Sequence, residues 1–309
     1  MFKQHEHNVQ ALTNSRRCVV WQDSHLSITY DRASSTATIK YHQAIRASPS
    51  SYAECMRMVC DIGLDIVRKR SEQRDYQHEL SFVEERRNKL LGMLKNATPH
   101  LRDIKACKSM KDQLEHWNLY LHRSYVTSEL YRPFLKRNST NSDLTTSLKA
   151  TCVESLANTV DAFLGLENLT RFARQSWAAV HRALSSALLL GILEEPPGNQ
   201  QVRTLLDRLI GVISELSTTL EPSEVSAPIA RSIAALRLLN SRESGTVRSG
   251  QLTGLDLPIY WHSNDSGMSS TQYESGYSAD SNIGSEEGSP HTLIDKIMWG
   301  PQLGGERGV

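Results

Sequence analysis

Apolar residues recur at intervals of three and four from Tyr52 to about Leu239, and alternating apolar and polar runs are scarce. This spacing lines up the apolar side chains on one face of successive amphipathic helices. We therefore predict an all-α, multi-helix body. The stripes that define its helices are Met56, Val59, Cys60, Gly63, Ile66 and Val67; Leu80, Val83, Leu90, Leu91 and Leu94; Leu114, Trp117, Leu121, Tyr125 and Leu130; Leu148, Cys152, Leu156, Val160 and Phe163; Val180, Leu184, Ala187, Leu188 and Ile192; and Ile229, Ile233, Leu236 and Leu239.

Prolines and polar runs predict where these helices end. Pro99 is expected to end the second helix and Pro133 to kink or stop the third, because proline lacks an N–H donor and its ring clashes with the preceding turn. The polar run at 138–143 predicts a connector. The run at 194–199 contains two prolines and a glycine, and it predicts a break in the chain.

One further stripe has the spacing of a coiled coil. Its apolar positions follow a 4-3-4-3-4 pattern, which indicates a dimerisation seam and hence a homo-oligomer. Leu205, Ile210 and Val212 widen the apolar face, which favours a helix packed within the protein's own core. Both interpretations apply to Val202, Leu206, Leu209, Ile213, Leu216 and Leu220.

The composition changes after Ser241. Serine, glycine, asparagine and aspartate dominate up to Pro290, and residues 262–309 contain seven acidic and two basic residues. Such a segment buries too little apolar area to offset the entropy of ordering. We predict a helical domain at 1–243 and a disordered acidic tail at 244–309, with a short amphipathic segment near its end.

Charge and cysteine content exclude several classes of protein. Lys plus Arg total 35 against 34 Asp plus Glu, which argues against a basic nucleic-acid coat. The five cysteines are unevenly spaced, as in reduced intracellular proteins rather than in a disulfide framework. The first ten residues contain no apolar run behind a basic start, so we expect no secretory signal. The longest apolar stretch, 177–193, is interrupted by His181 and Arg182, so we expect no membrane association.

Few residues suggest chemistry. His5 and His7 flank Glu6, but zinc needs further ligands at defined spacing and none is nearby. Cys55 and Cys60 lie on different sides of one helix, so we expect buried thiols. The sequence has no C-x-x-C pair, no G-x-S-x-G turn, no glycine-rich phosphate loop and no H-E-x-x-H helix. We therefore expect neither catalysis nor a cofactor.

Two basic clusters, at 68–70 and 86–89, raise the question of nucleic-acid contact. Glu84 and Glu85 precede the second cluster, and acid followed by base along a helix favours a solvated, self-paired face. Aromatic residues also interleave with bases between 123 and 137. At helical spacing this favours a core with a charged rim over a platform for stacking bases, and the aromatic residues concerned are Tyr125, Tyr131 and Phe134.

Two stretches about 90 residues apart match one known pattern. The first contains Arg16-Arg17, Trp21-Gln22-Asp23, Leu26-Ser27 and Asp31-Arg32-Ala33; the second contains Leu119, Leu121-His122, Tyr125, Leu130, Tyr131-Arg132-Pro133-Phe134 and Leu135. They resemble the fungal-specific transcription factor domain, the middle homology region of the binuclear zinc cluster transcription factors. Asp31 replaces the usual glycine and Ala33 the usual proline, so the turn there is expected to differ in shape.

The resemblance covers about residues 11–240 and implies that the chain begins inside the family's domain, with Met1 an internal start. The family's zinc cluster would lie upstream, and none of the five cysteines can replace it. Zinc and DNA contact are therefore expected only through such an upstream cluster. The resemblance implies a nuclear transcription regulator of RNA polymerase II genes.

The matched residues suggest structural roles before regulatory ones. A buried ion pair between Asp23 and Arg32 would fix the turn that follows the first helix, or would transmit the binding of an effector to the rest of the domain. Arg132 is expected to cap the carbonyls that Pro133 leaves exposed. The remaining family positions singled out are Arg17, Trp21, Leu26, Ser27 and Phe134.

The tail offers the clearest functional pattern. Apolar and aromatic residues among acids can dock into coactivator grooves and fold as they bind; the alternative is a solubilising tail. The tail residues concerned are Tyr273, Tyr277, Leu293, Ile294, Ile297 and Trp299. We predict a regulatory and activation portion of a transcription factor whose partners are coactivators or other regulators. The alternative is a helical adaptor that does not bind DNA and shares partners with full-length relatives.

Overall fold

The protein is predominantly helical in the part that its computed structural model describes, residues 18–30, 32–36, 49–70, 76–136, 142–193, 200–219 and 227–240. This part contains nine α-helices and no β-strand, which confirms the all-α prediction. The helices are α1 (residues 18–30), α2 (Tyr52–Arg70), α3 (Tyr76–Lys95), α4 (Pro99–Arg102), α5 (Met110–Tyr131), α6 (Ser142–Leu169), α7 (Trp177–Leu193), α8 (Gln200–Thr219) and α9 (Ala227–Asn240).

The core forms around α5 and α6, which pack along much of their lengths. α2 packs on α5 and α7 packs on α6, while α8 and α9 pair with each other and cover α6 and α7. The predicted stripes supply most of the buried side chains. Phe163, Leu184 and Leu188 are each 0% exposed.

The close approach of α5 and α6 depends on Gly165. A Cβ atom at this position would lie 2.5 Å from the Trp117 ring, closer than side chains pack. We expect Gly165→Ala to lower the free energy of unfolding by about 1 to 3 kcal/mol, because the indole ring must shift within a packed interface. Urea denaturation measures the change.

Gly211 provides the matched control for this substitution. It also lies within a helix, but a Cβ atom there meets nothing within 4 Å. Gly211→Ala should therefore stabilise the protein by about 0.5 to 1 kcal/mol through helix propensity. Equal effects of the two substitutions would contradict the packing described for Gly165.

Some helix boundaries differ from the prediction. The second predicted helix ends at Lys95, and Pro99 begins α4 instead of ending the helix before it. This fits proline's preference for the first turn, where its missing N–H has no helical acceptor. Leu91 is 48% exposed, so it does not belong to the core stripe. α6 begins at Ser142, inside the polar run predicted as a connector. α5 ends at Tyr131, as predicted from Pro133.

The coiled-coil spacing of α8 belongs to an intramolecular helix. Leu206, Leu209 and Ile213 are at most 3% exposed, and α8 packs against α6 and α9. The wide apolar face therefore fills the core of this chain, as its breadth favoured.

Several predictions concern residues outside the described part of the chain: the His5–His7 segment, Arg17, the break at 194–199 and the whole tail from 244 to 309. Among the helices that the structure describes, none combines the length and apolarity needed to cross a bilayer.

Candidate functional site

The most unusual feature of the core is an arginine in its most apolar helix. His181 and Arg182, which interrupt the apolar run of α7, are 4% and 0% exposed. Arginine is almost never fully buried unless it is paired. Arg182 therefore marks the position where the surrounding helices must supply compensating contacts.

Three helices meet at this guanidinium. Its Nη2 donates to His25 Nδ1 of α1 at 2.9 Å, and its Nη1 donates to His122 Nδ1 of α5. The two imidazole rings stack with centroids 4.2 Å apart and planes 22° apart. The guanidinium also lies over the Tyr125 ring, 4.7 Å from its centroid. We call Arg182, His25, His122 and Tyr125 the Arg182 cluster.

The geometry fixes the protonation of both histidines. Arginine has donors and no acceptor, so each Nδ1 must accept and each ring carries its proton on Nε2. Burial lowers the pKa of His25, and the Arg182 charge lowers it further. Burial likewise lowers the pKa of His122, with added contributions from His25 and Arg182. Both rings are therefore neutral in the folded protein.

The polar groups around the Arg182 cluster do not neutralise its charge. Among the described residues, no carboxylate lies within hydrogen-bonding distance of Arg182, and its Nε has no partner. Burial raises the pKa of the neighbouring Cys60 thiol to about 12, so this thiol is not an activated nucleophile. Burial lowers the pKa of Arg182, and the Glu129 carboxylate is among the groups that partly offset this effect. The cluster can bind and lose protons, but it contains no nucleophile–base pair.

Glu129 forms a second buried charge site one helical turn beyond Tyr125. Its side chain is 1% exposed and forms ion pairs with Arg70 of α2 and with Arg132, whose Nη1 lies 2.9 Å from Oε1. The expectation that Arg132 caps helix carbonyls is therefore wrong. A buried carboxylate three residues away attracts the guanidinium more strongly than a neutral carbonyl does.

Asp23 organises the chain after α1. Its carboxylate accepts from Arg32 Nη2 at 3.0 Å, from Ser34 Oγ at 2.6 Å and from Thr36 N at 2.9 Å. The predicted Asp23–Arg32 ion pair is thus present, although the Arg32 side chain is 42% exposed. Burial raises the pKa of Asp23, but the hydrogen bonds from Ser34, Thr36 and Arg32 outweigh it, so the pKa lies below its ordinary value.

The other matched residues lie around these sites without joining them. Ser27 is buried and donates to the Asp23 carbonyl at 2.8 Å, and Trp21 packs edge-on against Tyr52. Leu26 and Pro133 are half-buried, and Phe134 is 0% exposed in the core. Tyr125 and Tyr131 are also buried, as expected for a core with a charged rim.

The remaining polar candidates have structural roles. Cys55, Cys60 and Cys152 are buried free thiols, as expected for the first two. The described residues contain no group of three potential metal ligands. The basic clusters are self-paired: Arg68 and Arg86 bind Asp65 at 3.2 and 2.8 Å, and Lys89 binds Glu85 at 2.7 Å.

Acidification should weaken the Arg182 cluster. Each histidine has a folded-state pKa below the ordinary value of 6.5, so the unfolded chain binds more protons as the pH falls through that value. The free energy of unfolding should therefore decrease between about pH 6.5 and pH 4, beyond the change due to carboxylates. Protonation of either Nδ1 also removes the acceptor that Arg182 requires.

The histidine contribution is measured by comparing urea denaturation across this pH range for the wild type, His122→Gln and His78→Gln. Glutamine retains an acceptor but does not titrate, so His122→Gln should flatten the profile. His78 is exposed on α3 and serves as the control, and its substitution should leave the profile unchanged. Equal profiles for the wild type and His122→Gln would contradict the assigned role.

Sequence reasoning missed His25, Glu129 and Arg182 as members of buried sites. His25 lies between the matched Asp23 and Leu26, and Glu129 lies three residues before Arg132. The spacing alone could have suggested the Glu129–Arg132 pair. The convergence of α1, α5 and α7 on Arg182 has no local signal in the sequence.

Comparison of the chain with models of known protein families, with curated proteins and with solved structures returns no match.

Proposed function

We propose that the chain is the regulatory portion of a transcription regulator related to the fungal zinc cluster factors, acting in the nucleus without catalysis. The helical domain would respond to an effector or a partner, and the acidic tail would contact coactivators. The fold class agrees with this proposal, because an all-α domain is what the resemblance implies.

The observation that best supports the proposal is the meeting of the two matched segments. His25 belongs to the first segment and His122 to the second, and both bind Arg182. His25 lies between the matched Asp23 and Leu26, whereas His122 is itself a matched residue. Through Arg182, the two matched segments are joined at one buried side chain.

A reporter assay tests the activation part of the proposal. The full chain is fused to an unrelated DNA-binding domain and is expected to raise reporter output. A variant with alanine at the six apolar and aromatic tail positions should lose this increase, whereas six serine-to-alanine changes in the tail should keep it. A flat response from the unmodified fusion would contradict the activation function.

The absence of a C-x-x-C pair from these 309 residues supports a second candidate, a helical adaptor that does not contact DNA. Both candidates predict that the purified chain does not shift DNA in a sequence-specific manner. They differ in the reporter assay, because an adaptor without an activation segment gives no increase. A zinc-dependent, sequence-specific shift would contradict both.

A further inference from the structure

An open cavity lies between α2 and α3, away from the Arg182 cluster. Its volume is about 560 Å³, within the range of small-molecule sites. At one end, Ser50 N donates to the Asn96 carbonyl at 2.8 Å and Thr98 N donates to the Ser50 carbonyl at 3.1 Å. At the other end, Arg86 Nε donates to Asp65 Oδ2 at 2.8 Å. We call this cavity the α2–α3 trough.

The floor of the α2–α3 trough is apolar and adaptable. Ile62 and Met93 are 2% and 4% exposed, and Met58 is half-buried beside them. Methionine side chains adjust to differently shaped apolar ligands because they are unbranched and polarisable. The floor therefore suits an apolar group of limited size.

Gly92 keeps one wall of the α2–α3 trough open. A Cβ atom at this position would meet nothing within 4 Å, so packing does not require a glycine there. Glycine in a helix interior is unfavourable relative to alanine. Neither packing nor helix propensity therefore explains the glycine at position 92. Because Gly92 has no side chain, space remains open along this wall.

Two charged groups on the walls lack a close partner in the described part of the chain, although Asp61 is exposed and its charge interacts with those of Arg57 and Arg68. Arg57 and Asp61 lie one turn apart on α2, and neither forms a hydrogen bond or an ion pair within 4 Å with the described residues. The trough thus offers one cation and one anion above an apolar floor. The other charged wall groups already have partners: Glu54 with Ser51, Asp65 with Arg86, and Lys89 with Glu85.

We propose that the α2–α3 trough binds a small zwitterion with an apolar side chain, of the chemical class of a free α-amino acid. Its carboxylate would bind Arg57, its ammonium group would bind Asp61, and its side chain would rest on Met58 and Met93. A ligand with a single charge forms an ion pair with only one of these two wall groups.

Isothermal titration calorimetry of the full chain tests this proposal with L-methionine, L-leucine and L-phenylalanine. At least one should bind saturably with a dissociation constant on the order of 1 mM, as expected for a ligand of this size. N-acetyl-L-methionine lacks the cation and L-methioninol lacks the anion. Each should bind about tenfold more weakly than L-methionine, because each leaves one charged wall group unpaired.

Two variants locate the ligand. Asp61→Asn should weaken amino-acid binding about tenfold through loss of the ion pair, and Gly92→Leu should abolish binding by filling the trough. Gly211→Leu, at the other helix glycine that faces open space, should bind like the wild type. Circular dichroism verifies that each variant is folded. If Gly92→Leu does not fold, the binding measured for Asp61→Asn decides the outcome.

The absence of saturable binding by all three amino acids would overturn the proposal. Equal binding of the singly charged derivatives would also overturn it, as would wild-type binding by Asp61→Asn. The proposal does not depend on the proposed transcriptional function, because calorimetry reads binding directly and the reporter assay does not.

Discussion

Glu129→Gln is expected to lower the free energy of unfolding by about 3 to 5 kcal/mol. The carboxylate is 1% exposed and holds two guanidinium groups, those of Arg70 and Arg132. Glutamine keeps the shape but removes the only negative charge in this group of three residues. Two partly buried cations would then face each other without a counter-charge. Chemical denaturation at neutral pH measures the loss.

Glu85→Gln is the matched control for this prediction. Glu85 also binds two bases, Arg86 and Lys89, but its side chain is 57% exposed. Water and salt screen such pairs, so the control should change stability little. Comparable losses for Glu129→Gln and Glu85→Gln would show that burial of Glu129 does not matter.

Arg182→Ala has the second large expected effect, a loss of about 2 to 5 kcal/mol. Truncation leaves a cavity among α1, α5 and α7, and it removes both donors from His25 and His122. Relief from burying a charge offsets part of this loss. Arg182→Lys should also destabilise the protein, because an ammonium group cannot reproduce the planar fork that reaches both rings.

Arg208→Ala on α8 serves as the control, since Arg208 is exposed and its loss should change stability by no more than about 0.5 kcal/mol. Hydrogen exchange adds a local measurement. In Arg182→Ala the amides of residues 18–30 should exchange faster than in the wild type, because α1 loses its tie to α7. Unchanged exchange in α1 together with unchanged stability would contradict the assigned role of Arg182.

The helical architecture could be predicted because it follows from local periodicity. The stripe containing Leu184 and Leu188 is predicted because a helix repeats its buried face every three to four residues. The Asp23–Arg32 ion pair can also be predicted from the sequence, since only nine residues separate the two opposite charges around a helix end. In each case the relevant signal lies within a few turns of chain.

The buried charge sites could not be predicted, because their members lie far apart in the sequence. His25 and Arg182 are 157 residues apart, and Arg70 and Glu129 are 59 apart. Their contacts depend on how α1, α2, α5 and α7 pack, which periodicity does not specify. Sequence reasoning treated Arg182 as an interruption of an apolar run, whereas the structure makes it a shared contact of three helices.

A double-mutant cycle between His25 and His122 tests most directly whether the two matched segments form one unit through Arg182. The free energies of unfolding of the wild type, His25→Ala, His122→Ala and the double variant give the coupling energy. Residues that share one partner and stack on each other should couple by about 1 kcal/mol. Additivity within about 0.3 kcal/mol would show that the two segments contribute independently, and it would contradict the account.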